Sequence, residues 1–302
     1  MVTYPMPLGL RSVQDLSAHG VDNGCARRQT AGVDLLGLAR DPQTPAADLA
    51  DAVAWCAEAE ALPAVLFLAA HADTAVRRSV AQALPRLAGS PRPRAVIKAL
   101  ITLSSDPVAE VRDWACYGLG SRLSDVDSAG VRDALAARLA DPDQHVRCEA
   151  LLGLARRRDP RALPALRARL AGEHVRLPEI QAAGALGDPS LHVLVRAHLA
   201  GWGADAVPRV CAALRLTDPD GVGDDLLDGL AEWYADRADG VAMADRYWWS
   251  ITLNLLEQAE HRSVEIAEAV RQRLRHNPDA TARLFASKLA ALASAYGWGP
   301  AA

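Results

Sequence analysis

The chain has 302 residues, half of them apolar, 23% charged and 5% aromatic, with a formal net charge of −4. That apolar share excludes wholesale disorder, and 21 Gly with 18 Pro exclude a collagen-like or linker composition. The length suffices for one large domain or two ordinary ones, each able to bury a core.

The opening stretch MVTYPMPLGL carries no basic run and is interrupted by Pro5 and Pro7, so a secretory signal is not expected. Residues 1–28 show no periodicity and read as an irregular arm. The longest uncharged apolar run, Ala61 to Ala70, falls far short of the roughly 20 residues that a membrane-spanning helix needs. The five cysteines (Cys25, Cys56, Cys116, Cys148 and Cys211) stand at least 31 residues apart with no CxxC. A reduced cytoplasmic chain without a disulfide framework is the expectation. Charge is uneven: Val76 to Arg176 holds 18 Lys/Arg against 11 Asp/Glu, between acidic flanks. Such a basic middle either attracts an anionic partner or is solvated surface.

Internal repetition dominates the sequence. DPVAEVRDWACYGLG (106–120) and DPDQHVRCEALLGLA (141–155) share Asp-Pro, Val-Arg, Ala and Gly-Leu at the same positions, 35 residues apart. HADTAVRRSVAQALP (71–85) is a third copy, with His71 and Ala72 in place of Asp-Pro. The columns are Val76/Val111/Val146, Arg77/Arg112/Arg147, Val80/Ala115/Ala150, Ala83/Gly118/Gly153 and Leu84/Leu119/Leu154. A period in the range of roughly 20–50 residues points to a solenoid. Each unit reads as two helices. Ala61–Ala70, Ala95–Ser104 and Val131–Ala140 supply the first, and the second follows a turn where Asp106 and Asp141 are expected to cap it. Val111, Ala115, Gly118 and Leu119 fall in one sector of the second helix, a stripe that must pack on neighbouring units.

The pattern Asp-Pro-x-x-x-Val-Arg-x-x-Ala-x-x-Gly-Leu, with DPRALPALRARL (159–170), resembles the HEAT-like repeats of phycobilin lyase subunits and many bacterial helical-repeat proteins. The resemblance is clear over about residues 61–170 and looser to about 217. It implies an all-α superhelix of the HEAT/armadillo type, not a chemistry. LLGLARDPQTPAADLADAV (35–53) is similar to a leucine-rich-repeat-variant unit, though the clustered cysteines of that family's iron–sulfur cluster are missing.

Beyond Leu170 the pattern degrades. Helices are expected over 178–187, 190–200 and 204–216, and the turn DPDGVG (218–223) is the candidate boundary. Segments near 224–238, 241–260, 263–275 and 279–296 then form a helical C-terminal cap or lobe, giving a solenoid over 29–217 and a cap over 218–302. Trp233, Trp248, Trp249 and Trp298 concentrate there, with Trp202 just before the boundary.

The Arg77/Arg112/Arg147 column is expected to form an inter-repeat ladder of hydrogen bonds to turn carboxylates or carbonyls. Partner contacts are expected on the concave face, from second-helix residues pointing away from the core stripe. With Val111 at 0°, Asp113 lies at about 200°, Tyr117 at about 240° and Trp114 at about 300°. These three, with Arg78, Gln82, Arg86, Glu149, Leu152 and Arg156, are the candidate partner-binding residues. Trp114 and Tyr117 are read as an aromatic anchor, and Arg78, Arg86 and Arg156 as contacts for acidic groups. The run Arg156, Arg157, Arg158, Arg161, Arg167, Arg169 and Arg176 is read chiefly as exposed charge, with phosphate contact as the alternative.

Tyr247-Trp248-Trp249 resembles the Trp-Trp pair of AlkD-like DNA glycosylases, which are also built from HEAT-like repeats, but Ser250 to Leu253 supply no carboxylate after it. The expected role is to plug the solenoid's end. No GxSxG, HExxH, GxGxxG or GxxxxGK[ST] occurs, no cofactor or metal is expected, and the eight histidines are scattered. The leading reading is a non-enzymatic scaffold binding a protein or peptide. A lyase-like protein or other enzyme holding a small ligand in the groove is second, and a nucleic-acid binder or base-excision enzyme third.

Overall fold

The computed structural model describes residues 34–89, 91–235 and 243–299, with the side chains of 243–247 left aside. The expected arm over 1–28 and Cys25 lie outside them. Every regular element among the described residues is helical.

The chain runs as helix pairs. They are α1 (Leu35–Arg40) with α2 (Ala46–Trp55), α3 (Leu62–Phe67) with α4 (Thr74–Leu87), α5 (Arg94–Leu103) with α6 (Ala109–Tyr117), and α7 (Ala129–Ala136) with α8 (Gln144–Arg156). Next come α9 (Ala162–Leu170) with α10 (Leu177–Leu186) and α11 (His192–Arg196) with α12 (Val207–Thr217). The C-terminal part holds α13 (Asp224–Ala235), α14 (Met243–Gln258), α15 (Ser263–Arg273), α16 (Pro278–Phe285) and α17 (Lys288–Ala295). The segment read as one helix over 279–296 is thus two. The chain turns at Ala286, and the Ser287 hydroxyl restarts it by accepting from the Ala290 N–H.

The even-numbered helices from α2 to α14 pack each on the next, and the odd-numbered helices of the repeats form a second layer behind them. Between the layers lie the repeat columns: Val76, Val111 and Val146, then Val80, Ala115 and Ala150, then Leu84, Leu119 and Leu154, all without solvent exposure. Val65, Leu100 and Leu135 meet them from the first helices, equally buried. Each such Val or Leu contributes about 1.5–3 kcal/mol on burial, but only because the neighbouring repeat covers it.

Buried apolar side chains fall into two clusters, one from Leu35 to Ala213 and one from Ala212 to Ala293. Helix α12 serves both, sending Val210 and Ala213 to the first and Ala212 and Leu216 to the second. The layer also curls. Helix α14 reaches past α12 to touch α10, where Gln258 Oε1 occupies the notch left by Gly184, and Gln258 Nε2 donates to the Arg209 carbonyl at 3.1 Å.

Candidate functional site: the groove between α6 and α8

The turns between paired helices carry a ladder of buried ion pairs. Arg77 donates Nη1 to the carbonyls of His71 and Ala72, then turns its Nε–Nη2 edge to Asp106 at 2.6 and 3.1 Å. Arg112 repeats this one unit later, with Nη1 on the carbonyls of Asp106 and Pro107 and both remaining nitrogens 2.8 Å from Asp141. Burial alone would raise both carboxyls. The guanidinium facing each, together with the N–H of Val108 or Asp143, outweighs it and holds Asp106 and Asp141 below the usual carboxylate range. The expected capping by these aspartates is therefore corrected. They brace the turn, while α8 is capped by Asp143, whose carboxylate accepts from the N–H groups of His145 and Val146. The turn proline separates the first aspartate from the helix by one residue too many.

The open face of the even-helix layer is shaped by two glycines. Helix α6 ends in a π turn over Gly118–Arg122. A Cβ built on Gly153 of α8 would lie 2.7 Å from the Gly120 Cα, so the two backbones touch there. This contact brings Ser121 to Glu149, with Oγ 3.3 Å from Oε2. The wider π turn frees carbonyls, and Arg157 fills the gap from behind, donating to Leu119, Leu123, Val126 and Gly153. With no carboxylate on it, burial pulls Arg157 down to about 10.

Asp113 lies on the same face of α6, half-buried. Its Oδ1 is buried without a hydrogen-bond partner. Burial, then the carboxylates of Glu149, Asp143 and Glu110, push it up to about 7. Burial also raises Glu149, opposed by Arg156 and Ser121. Arg156 sits among Glu149, Glu257 of α14 and Tyr117, and burial lowers it. Trp114 and Tyr117 meet edge to face with ring centroids 5.7 Å apart. Three carboxyls (Asp113, Glu149 and Glu257), one guanidinium and an aromatic pair thus converge from α6, α8 and the end of α14.

Residues 97–187 match a family described as HEAT repeats, and this window spans most of α5 through to the end of α10. The chain carries HEAT-like repeats. Two curated relatives, Protein YibA of Escherichia coli strain K12 and of Escherichia coli O157:H7, are each 36% identical over 119 residues. That stretch is 39% of this chain, which spans only 40% of the length of either relative. An X-ray structure of the Escherichia coli YibA protein superposes with a TM-score of 0.49 at 28% identity, over 60% of this chain and 66% of that one.

On the HEAT-like scaffold the nine candidate partner-binding residues divide. Asp113, Tyr117, Glu149 and Arg156 come together in the groove, as described above. Trp114 joins them but is also packed against the first core cluster. Leu152 is buried in that core. Gln82 is half-buried on α4. Arg78 pairs with Glu110 at 3.0 Å, and Arg86 donates to the Ala54 carbonyl at 2.9 Å. Both therefore bridge adjacent repeats while keeping solvent exposure, because a second-helix arginine at this radius reaches the neighbouring helix along the surface.

The arginine run is corrected at Arg157, which is buried. Arg158, Arg161, Arg167 and Arg169 are exposed, as expected of the run. Two of these also form ion pairs: Arg161 binds Asp159 and Asp133, and Arg169 binds Glu179 at 2.6 Å. In the C-terminal helices Trp249 stacks on Trp233 with centroids 5.1 Å apart, and Arg215 lies over the Trp248 ring. Both Trp248 and Trp249 pack against the second core cluster, while the Tyr247 side chain lies outside the described residues. Among the described residues no group of three or more His, Cys, Asp or Glu is arranged to hold a metal, and no helix is long and apolar enough to cross a membrane.

Proposed function

We propose that the chain is a helical-repeat scaffold that binds a protein or peptide partner in the α6–α8 groove by seating a basic side chain against Asp113 and Glu149. The buried, unpartnered Oδ1 of Asp113 beside a second carboxyl carries this reading. A carboxyl in that position is unfavourable without a cation, and a lysine or arginine from a partner satisfies it with a charge-assisted hydrogen bond of about 1.5–3 kcal/mol. Tyr117 and the exposed edge of Trp114 supply the apolar wall against which the stem of that side chain lies. The polarity is opposite to that expected from Arg78, Arg86 and Arg156, since those guanidiniums are taken up by Glu110, the Ala54 carbonyl and the Glu149/Glu257 pair. The reading needs no catalysis by the chain, and residues 218–302 serve it as the cap that closes one end of the groove.

The test is a fluorescence-anisotropy titration of labelled peptides bearing a central Arg or Lys, with matched Gln peptides as controls, at pH 8. Cation-dependent binding that weakens about tenfold or more in Asp113→Asn, a loss of about 1.4 kcal/mol, supports the proposal. Equal affinity for Arg and Gln peptides, or no effect of the substitution, removes it.

A further inference from the structure

The ladder of turn ion pairs stops at Arg147, and the way it stops leaves a site. Arg77 and Arg112 each use Nη1 on two turn carbonyls and present the Nε–Nη2 edge to an aspartate 29 residues further on. Arg147 makes the same two carbonyl bonds, to Asp141 and Pro142 at 2.5 and 2.9 Å, so its side chain is seated in the same way. The residue 29 positions on is Arg176, and no aspartate occurs between Ala171 and Arg176. Among the described residues, neither Nε nor Nη2 of Arg147 has an acceptor.

This uncommitted guanidinium lines a cleft of about 210 Å³ between α8, α9 and α10. Leu139, Leu151, Ala165 and Ala168 make its apolar walls. The acid in the lining, Glu179, is already occupied: Oε1 takes the Arg169 Nε–H at 2.6 Å and Oε2 the Arg176 backbone N–H at 2.8 Å. The Cys148 thiol, also in the lining, is pushed up by burial to about 11 and stays neutral. The cleft therefore offers an open two-toothed cation above apolar walls. An arginine fork in that state matches a carboxylate in plane, with two parallel N–H···O bonds.

We propose that this cleft binds a carboxylate carried on a short aliphatic body, with its two oxygens on Nε and Nη2 of Arg147 where Asp106 and Asp141 sit on the other rungs. Two sources share that chemistry, a free small aliphatic acid and the C-terminus of a peptide ending in an aliphatic residue. The site is separate from the groove. Arg147 and Glu149 point about 200° apart around α8, so the two open on different sides of the helix.

The experiment uses the full chain and saturation-transfer difference NMR with four probes: sodium hexanoate, hexanamide, N-acetyl-Ala-Leu as the free acid, and the same dipeptide as its C-terminal amide. Saturation of at least one acid with no signal from its amide is expected. Hexanoate alone identifies a small-acid site, and the dipeptide acid alone a C-terminus site. Arg147→Gln should weaken the bound acid about tenfold or more. Ala165→Phe, which fills the cleft and leaves Arg147 in place, should abolish the signal in a chain whose melting curve shows it folded. No binding by either acid, equal binding of acid and amide, or undiminished binding in Ala165→Phe overturns the proposal.

Discussion

Gly120 and Gly153 meet backbone to backbone: a Cβ on Gly153 would stand 2.7 Å from the Gly120 Cα, and one on Gly120 would stand 2.9 Å from the Glu149 carbonyl oxygen. Neither obstacle is the mobile end of a side chain. The contact sets the spacing of α6 and α8 and with it the distance between Ser121 and Glu149.

Gly153→Ala should therefore destabilise the fold by about 1–3 kcal/mol, the range for overpacking a filled interior. It should also weaken any cation-dependent peptide binding by prising the groove open. Urea denaturation beside the anisotropy titration checks both effects. A variant as stable as the parent would show that the helices can separate at no cost.

The ladder divides strong ion pairs from weak ones. Arg112 and Asp141 are 7% and 5% exposed, so Arg112→Ala leaves a buried carboxylate alone and should cost about 3–5 kcal/mol. Arg78 and Glu110 are paired at 3.0 Å with side chains 40% and 58% exposed, and Arg78→Ala should cost less than about 1 kcal/mol. Denaturant midpoints at constant pH discriminate the two.

Stability should be limited on both sides in pH. Asp106 and Asp141 are held below the ordinary range, so their contribution is present above about pH 4 and lost as pH falls through their folded values. Asp113 is raised to about 7, so the folded state holds its proton more tightly than the unfolded chain does. Its contribution is full below about pH 4 and is lost as pH rises towards 7. Asp113→Asn should abolish that loss and raise stability at pH 8, on the order of 1–2 kcal/mol after allowance for its partial exposure. Thermal melts of both chains between pH 4 and 8 follow the difference. Binding of a basic peptide should release a proton near pH 6.5, detectable as an affinity that rises from pH 6 to pH 8.

The aromatic pair should separate into a structural and a contact residue. Trp114 packs against the core, and Trp114→Ala should cost about 2 kcal/mol or more through lost burial. Tyr117 lies in the groove at the edge of Trp114, and Tyr117→Ala should cost less than about 1 kcal/mol while weakening peptide binding. Paired melting and binding curves would reverse these assignments if Tyr117 proved the more destabilising.

The repeat architecture was legible because burial imposes it column by column. Val111 is buried for the same reason as Val76 and Val146, and a 35-residue period follows from one helix pair stacking on the next. The Arg77 and Arg112 ladder was legible as well, since guanidinium and turn aspartate keep their spacing in the chain. The groove was legible only in part. Helical angle brought Asp113, Tyr117, Glu149 and Arg156 to one face, but gave Arg78 and Arg86 the same standing. A wheel does not show how near the next helix lies, or that it offers Glu110 and the Ala54 carbonyl. Nothing in the run from Arg156 to Arg176 marked Arg157 as buried, because three of its four carbonyl partners, Leu119, Leu123 and Val126, lie in or just after a π turn more than thirty residues earlier.

By itself the sequence determined the helix pairs, their period and the side each pair buries, because those depend on local periodicity and on contacts repeated between adjacent units. Tertiary structure alone decided the polarity of the groove, the partners of Arg78, Arg86 and Arg157, and the vacancy at Arg147. These rest on distances between side chains some 30 residues or more apart, and on a curl that carries Glu257 of α14 to Arg156 of α8. Charge in a solenoid is assigned by the neighbour a side chain reaches, and only the stacking of the helices says which neighbour that is.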